Sequence, residues 1–217
     1  PPETIISANA NAGFSIVKYT GDGSTSKTVG HGLSAAPEMV IVKNLSSVDN
    51  WIVYNKYADS SPASGFLQLN QTAAFYIDSD AWGGGSGTEP SSTLITIGDG
   101  GTDAYTNKDG SDYIAYCFHS VAGYSKFGSY SGNNTGQTIT TGFQPDFLML
   151  KKTNVTSEWW IMDSVRGTTN NLEANTSDAE NTGISGAPTF VSTGFNFSGS
   201  TFNETGTDWI YMAFKIN

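Results

Sequence analysis

The sequence predicts an all-β chain built as two tandem, duplicated β-sandwich units of jelly-roll or lectin-like type. Three observations predict it: an internal repeat of about a hundred residues, strand-sized apolar runs at regular intervals, and turns rich in Gly, Ser, Thr and Asn.

The repeat comes first. Gly13-Phe14-Ser15 through Tyr19-Thr20-Gly21 returns as Gly123-Tyr124-Ser125 through Tyr130-Ser131-Gly132. Pro37-Glu38-Met39-Val40-Ile41-Val42-Lys43 returns as Pro145-Asp146-Phe147-Leu148-Met149-Leu150-Lys151. A tryptophan follows each lysine at the same distance, Trp51 and Trp159. Leu67-Gln68-Leu69-Asn70 matches Leu172-Glu173-Ala174-Asn175 more loosely. Each copy closes on an aromatic strand, Gly110-Ser111-Asp112-Tyr113-Ile114 or Gly206-Thr207-Asp208-Trp209-Ile210. Matches in one order at nearly constant spacing mark a tandem duplication. The units are residues 13–119 and 120–217, and residues 1–12 are an N-terminal linker or an arm reaching a neighbour.

Within the first copy, residues 14–20 form a strand that ends at the Gly21-Asp22-Gly23 turn. Residues 38–43 and 51–54 form two more, joined by a polar connection through Ser46, Ser47, Asp49 and Asn50. Weaker strands are expected near 66–69, 74–78 and 93–97, and 113–118 closes the copy. No segment holds a capped 3.6-residue apolar period, so helices should be few and short. The strands 38–43, 113–118, 146–151 and 209–214 are apolar on both faces, whereas a half-solvated sheet would alternate. Both faces are therefore expected to be covered, one by a second sheet and the other by loops, the other copy or a neighbouring subunit. The recurring Trp51 and Trp159 are expected in equivalent core sites.

Composition narrows the function. Charged residues make up 14% and aromatic residues 12%, which argues against disorder. The formal charge of −10 with no basic run argues against nucleic-acid and anionic-membrane binding. No apolar stretch reaches the roughly 20 residues of a membrane helix. Pro1-Pro2-Glu3-Thr4 has neither the basic start nor the apolar run of a signal peptide. The single cysteine, Cys117, excludes an intrachain disulfide and a thiolate zinc cluster, and its apolar surroundings predict a small buried hydrophobe.

A search for chemistry finds little. His31, in a Gly-His-Gly turn, has Thr141 as its counterpart and reads as a loop histidine bonding a backbone carbonyl. His119 aligns with Lys215 at a polar strand end. Neither histidine has a nucleophile-elbow context nearby. Asp99, Asp103, Asp109, Asp112 and Glu89 supply carboxylates of the kind glycoside hydrolysis needs, but nothing selects a pair. Asp112 and Asp208, matched as Gly-(Ser or Thr)-Asp-aromatic, read as turn caps. The loop from Gly98 to Asp103, with Asp109 beyond it, has the oxygen density calcium favours but not the EF-hand spacing. The Asn-X-Ser/Thr matches at Asn44, Asn70, Asn154, Asn175 and Asn203 follow from composition. No catalytic residue, metal or cofactor is therefore expected. The binding candidates are the aromatics outside the repeated pair, Trp82, Tyr105 and Trp160, because exposed rings stack on sugars or anchor interfaces.

Several of these segments carry a resemblance. Gly13-Phe14-Ser15-Ile16-Val17, Val29-Gly30-His31-Gly32-Leu33, Val40-Ile41-Val42-Lys43 and Tyr113-Ile114-Ala115-Tyr116-Cys117-Phe118 resemble a family of uncharacterised virion proteins from tailed phages. The second half is similar through Gly123 to Tyr130, Thr141-Gly142-Phe143 and Trp209-Ile210-Tyr211-Met212-Ala213-Phe214. The resemblance covers residues 13–217 and implies a tail-fibre or appendage module on the particle surface, common in marine and cyanobacterial phages. It implies no catalytic or binding residues. The expected function is a non-enzymatic exterior component that binds host surface glycan or a neighbouring virion protein. Capsid decoration is the alternative, and a glycan depolymerase a third. A homo-oligomer is expected, a trimer by analogy with phage fibres.

Overall fold

The computed structural model describes residues 4–99 and 105–216. The chain divides into two compact units between His119 and Ser120. Both are all-β, and among the described residues the helical segments are single 3-10 turns. No described helix is long and apolar enough to cross a membrane.

The first unit contains β1 (Ile5–Asn9), β2 (Phe14–Thr20), β3 (Lys27–Gly30), β4 (Met39–Asn44), β5 (Ile52–Asn55), β6 (Gly65–Gln68), β7 (Tyr76–Ile77), β8 (Leu94–Ile97) and β9 (Asp112–Phe118). One antiparallel sheet runs β1-β2-β9-β4-β5-β6-β7, and β3 pairs with β8 in a second. The pleat turns Val17, Tyr19, Val40, Val42, Ile52, Tyr54, Tyr113, Ala115 and Cys117 to one side, where they meet Val29, Ile95 and Ile97 from the small sheet. Full burial of each large apolar side chain contributes about 1.5–3 kcal/mol.

The second unit contains β10 (Ser125–Ser131), β11 (Gln137–Thr140), β12 (Phe147–Lys152), β13 (Trp160–Asp163), β14 (Asn171–Glu173), β15 (Thr189–Val191), β16 (Gly194–Phe197) and β17 (Asp208–Phe214). Its larger sheet runs β10-β17-β12-β13-β14, the same order as β2-β9-β4-β5-β6. The pair β11–β16, extended by β15, stands where β3–β8 stands in the first unit.

Matching details recur. Tyr19 Oη donates to Thr106 O at 2.7 Å and Tyr130 Oη to Phe202 O at 2.8 Å. Tyr19 stacks on Tyr113, and Tyr130 on Trp209. Buried Asn107 accepts the Asp22 N–H through Oδ1 and donates to Asp22 Oδ1 and Ser24 O. Asn203 makes the same bonds to Asn133 and Thr135. Asn107→Ala removes all of these at once, so it is expected to cost about 3 kcal/mol in urea unfolding. A loss under about 1 kcal/mol would show that water replaces the amide.

Three expectations change. Residues 5–9 are not a linker: β-branched Ile5 and Ile6 lead a strand that lies antiparallel on β2. Trp51 and Trp159 are not in the sandwich cores. Their neighbours Ile52 and Trp160 take the core side, so both turn to the opposite face, where Trp159 is buried and Trp51 is half-buried against Tyr116. Asp112 and Asp208 accept from Thr20 and Ser131 on the paired strand, at 2.8 and 2.6 Å, so they clamp strands instead of capping turns. The opposite faces are apolar, as the two-sided pattern requires: Met39, Ile41, Val53 and Leu67 are buried in the first unit, and Phe127, Met149 and Ile210 in the second.

Candidate ligand-binding site

The units differ between the sixth strand and the outer-sheet return. In the second unit this segment packs Ile184, Ala187 and Phe190 on the core. In the first it forms β7, the 3-10 turn Ser79–Trp82 and a glycine-rich loop, and it leaves a groove. Asp78 caps the turn by accepting the Asp80 N–H at 3.1 Å. Gly83 leaves the turn at φ +98°, and Gly84, Gly85 and Gly87 keep positive φ, so the loop folds back sharply. Its return is held by Ser79 Oγ on Gly85 O at 2.7 Å and by the Thr88 N–H on Trp82 O at 2.8 Å.

The groove has a volume of about 770 Å³. Serine hydroxyls from Ser60, Ser61, Ser64, Ser79 and Ser86 line it, together with the carboxylates of Asp59, Asp78 and Glu89. Ile77, 77% exposed, adds an apolar rim, and among the described residues no Lys, Arg or His lines the groove. Tyr54 Oη donates to Glu89 at 3.4 Å. Burial first, and the Glu89 charge second, hold its phenol well above the usual range, so it stays a neutral donor. This surface accepts hydrogen bonds from hydroxyl or ammonium groups and repels anions.

Of the aromatic candidates, Trp82 is not exposed. It is 2% exposed, its Nε1 donates to Gly65 O at 2.9 Å, and its ring meets Tyr54 edge-on. A glycine-rich loop conceals its own anchor, because burying an indole offsets the cost of ordering glycines. Tyr105 is half-buried on Phe66 and donates to Asp78 Oδ2 at 3.0 Å, so it buttresses the groove from behind. Trp160 belongs to the second unit, half-buried edge-on against Phe202, with its Nε1 on Ser157 Oγ at 3.3 Å. The structure thus ties Trp82 and Tyr105 to one site in the first unit, whereas Trp160 belongs to the core of the second. The groove's serines and Asp59 carry no distinguishing signal in a Ser-rich chain.

The remaining candidates have structural partners. His31 is buried; Nδ1 accepts the Leu33 N–H at 3.1 Å, so Nε2 carries the proton toward Ser91 O at 3.2 Å. Burial lowers its pKa, and it stays neutral. Thr141 closes the matching turn by donating to Phe143 O at 2.6 Å. Burial pushes the Cys117 thiol up to about 12, so it is unreactive at neutral pH. The oxygen-rich loop from Gly98 to Asp103 falls largely on residues 100–104, outside the described residues, as does Asp103 itself. Among the described residues no cluster of His, Cys, Asp and Glu is arranged to hold a metal ion.

The second unit has a smaller apolar concavity of about 440 Å³, formed by Tyr124, Phe147, Met212, Phe214, Lys215 and Ile216. No solved structure and no curated protein matches the chain. A family model does match residues 3–217, and the chain belongs to that family, DUF7483, a domain of unknown function.

Proposed function

We propose that the chain is a non-enzymatic module of a phage particle exterior whose first unit binds a host-surface glycan. The groove of the first unit carries this reading. It is open, lined by hydroxyls and three carboxylates, free of cationic side chains and edged by exposed Ile77. Sugar hydroxyls donate to carboxylates in charge-assisted hydrogen bonds, and sugar C–H faces take apolar contacts. The resemblance to tailed-phage virion proteins supports the location, and the shared strand order supports a tandem duplication in which one copy gained the groove.

The test is glycan-array binding by the intact chain. Neutral or amino-sugar glycans are expected to bind, and sialylated or sulfated ones are not, because the lining repels anions. Glu89→Gln keeps the carbonyl that accepts from Tyr54 but removes the charge, and should weaken binding roughly 10- to 100-fold with Tm unchanged. An array without binding, or Glu89→Gln binding as tightly as the parent, overturns the proposal. Copy number on particles separates roles: a few copies fit an appendage, and a capsid-lattice number fits decoration.

A further inference from the structure

We propose that β1 is an interaction surface that pairs edge to edge with β1 of a second copy of this chain, joining two seven-stranded sheets into one. Sheet edges expose backbone donors and acceptors that template pairing unless they are short, charged or covered. Several edges here are so managed. Strands β7, β14 and β15 are two or three residues long. The outer side of β10 is occupied: Ser125 exchanges backbone bonds with Val121, the Phe127 N–H reaches Ser120 Oγ at 3.0 Å, and Gln137 Nε2 donates to Ser131 O at 3.1 Å.

Among the described residues, strand β1 has no such guard. Its residues, Ile-Ile-Ser-Ala-Asn, include no charge and no proline, and all five are exposed, Ile5 at 54% and Ile6 at 42%. It has no counterpart beside β10, so it is an addition to the framework the units share. It is also held in place before any partner arrives. Ile6 and Ala8 sit over Gly32, where an added Cβ would lie 2.9 Å from Ile6 and 3.0 Å from Ala8.

Ladder parity sets which groups are offered. The His119 N–H donates to Gly13 O at 2.9 Å, so alternate residues of β2, namely Phe14, Ile16 and Lys18, turn toward β1. Their partners Asn9, Ser7 and Ile5 turn toward β2, and the N–H and C=O groups of Ile6 and Ala8 point away from it. These residues complement themselves. Around a two-fold axis through Ser7, Ile6 of one copy meets Ala8 of the other in two symmetry-related hydrogen-bonded pairs, a large side chain beside a small one. Charge favours a second copy here, because a chain of net charge −10 meets itself with least repulsion at an uncharged strand. This contact joins copies pairwise, in place of a trimer.

The experiment uses the intact chain. Sedimentation equilibrium should show two copies associating. In the proposed register the two Ser7 residues form a non-hydrogen-bonded pair with Cα atoms about 4.5 Å apart, within disulfide range. Ser7→Cys should therefore crosslink under mild oxidation at least about tenfold faster than Val48→Cys, a fully exposed loop position. Cys117 is buried and does not compete. Ala8→Pro removes an outward N–H without touching the β1–β2 ladder and should give single copies with Tm unchanged. A parent that stays single, Ser7→Cys no faster than Val48→Cys, or a folded Ala8→Pro that still pairs would each overturn the proposal.

Discussion

Trp82→Ala is expected to destabilise the first unit by roughly 3–5 kcal/mol and to abolish glycan binding in the same variant. The indole is buried against Tyr54, and its Nε1 satisfies Gly65 O, so truncation leaves both a cavity and an unpaired buried carbonyl. Trp82 also holds the loop, since Thr88 bonds its carbonyl and Gly83 begins directly after it. Four glycines with positive φ in the following five residues cannot hold a shape without that anchor. Trp82→Phe keeps most of the packing and should cost less than half as much. Urea unfolding of the full chain measures both. A loss below about 1 kcal/mol for Trp82→Ala would mean that the indole is not an anchor.

Lys151→Met is expected to stabilise the second unit at pH 7, with the gain disappearing as the pH rises. Lys151 is 0% exposed and donates to Lys152 O at 2.9 Å. Burial holds its ammonium down to about 8, against 10.5 in an unfolded chain, despite the opposing pull of Glu158. Below pH 8 the amine is charged in both states, and folding carries the full cost of burying it. Between pH 8 and 10.5 the unfolded chain binds the extra proton, so stability rises with pH through this group. The gap corresponds to roughly 3 kcal/mol, an upper limit for the variant's gain at pH 7. Methionine keeps most of the apolar stem and removes the charge. Thermal melts of both proteins from pH 7 to 10.5 should converge. An advantage that stays constant or grows would show that the amine is not desolvated.

The first-unit counterpart, Lys43, places its Nζ on Asn44 O at 2.6 Å and Ser47 O at 3.2 Å. Both lysines thus tie the ends of their strands to nearby backbone. The sequence marks them as a repeated position, but only packing distinguishes them: Lys43 keeps partial exposure and Lys151 loses it.

Strand content and two-sided burial were legible because each rests on local pattern. Met39–Lys43 and Phe147–Lys151 are β-branched or large apolar runs that only a doubly covered strand accommodates. Strand β3 was not, since Lys27-Thr28-Val29-Gly30 offers one apolar residue and gains its place from pairing with β8. Facing direction was hidden too. In Trp159-Trp160 the pleat assigns one indole to each side, but which side is the core depends on strand register. The sequence by itself determined the all-β class, the sites of the main strands and the acidic character of the chain, because propensity, periodicity and charge are properties of short segments. The tertiary structure alone decided that Trp82 lies beneath a groove and that Asp59, Asp78 and Glu89 share its lining. It also decided that residues 5–9 form an open sheet edge. Each of these depends on residues distant in the chain meeting, and no local pattern records such meetings.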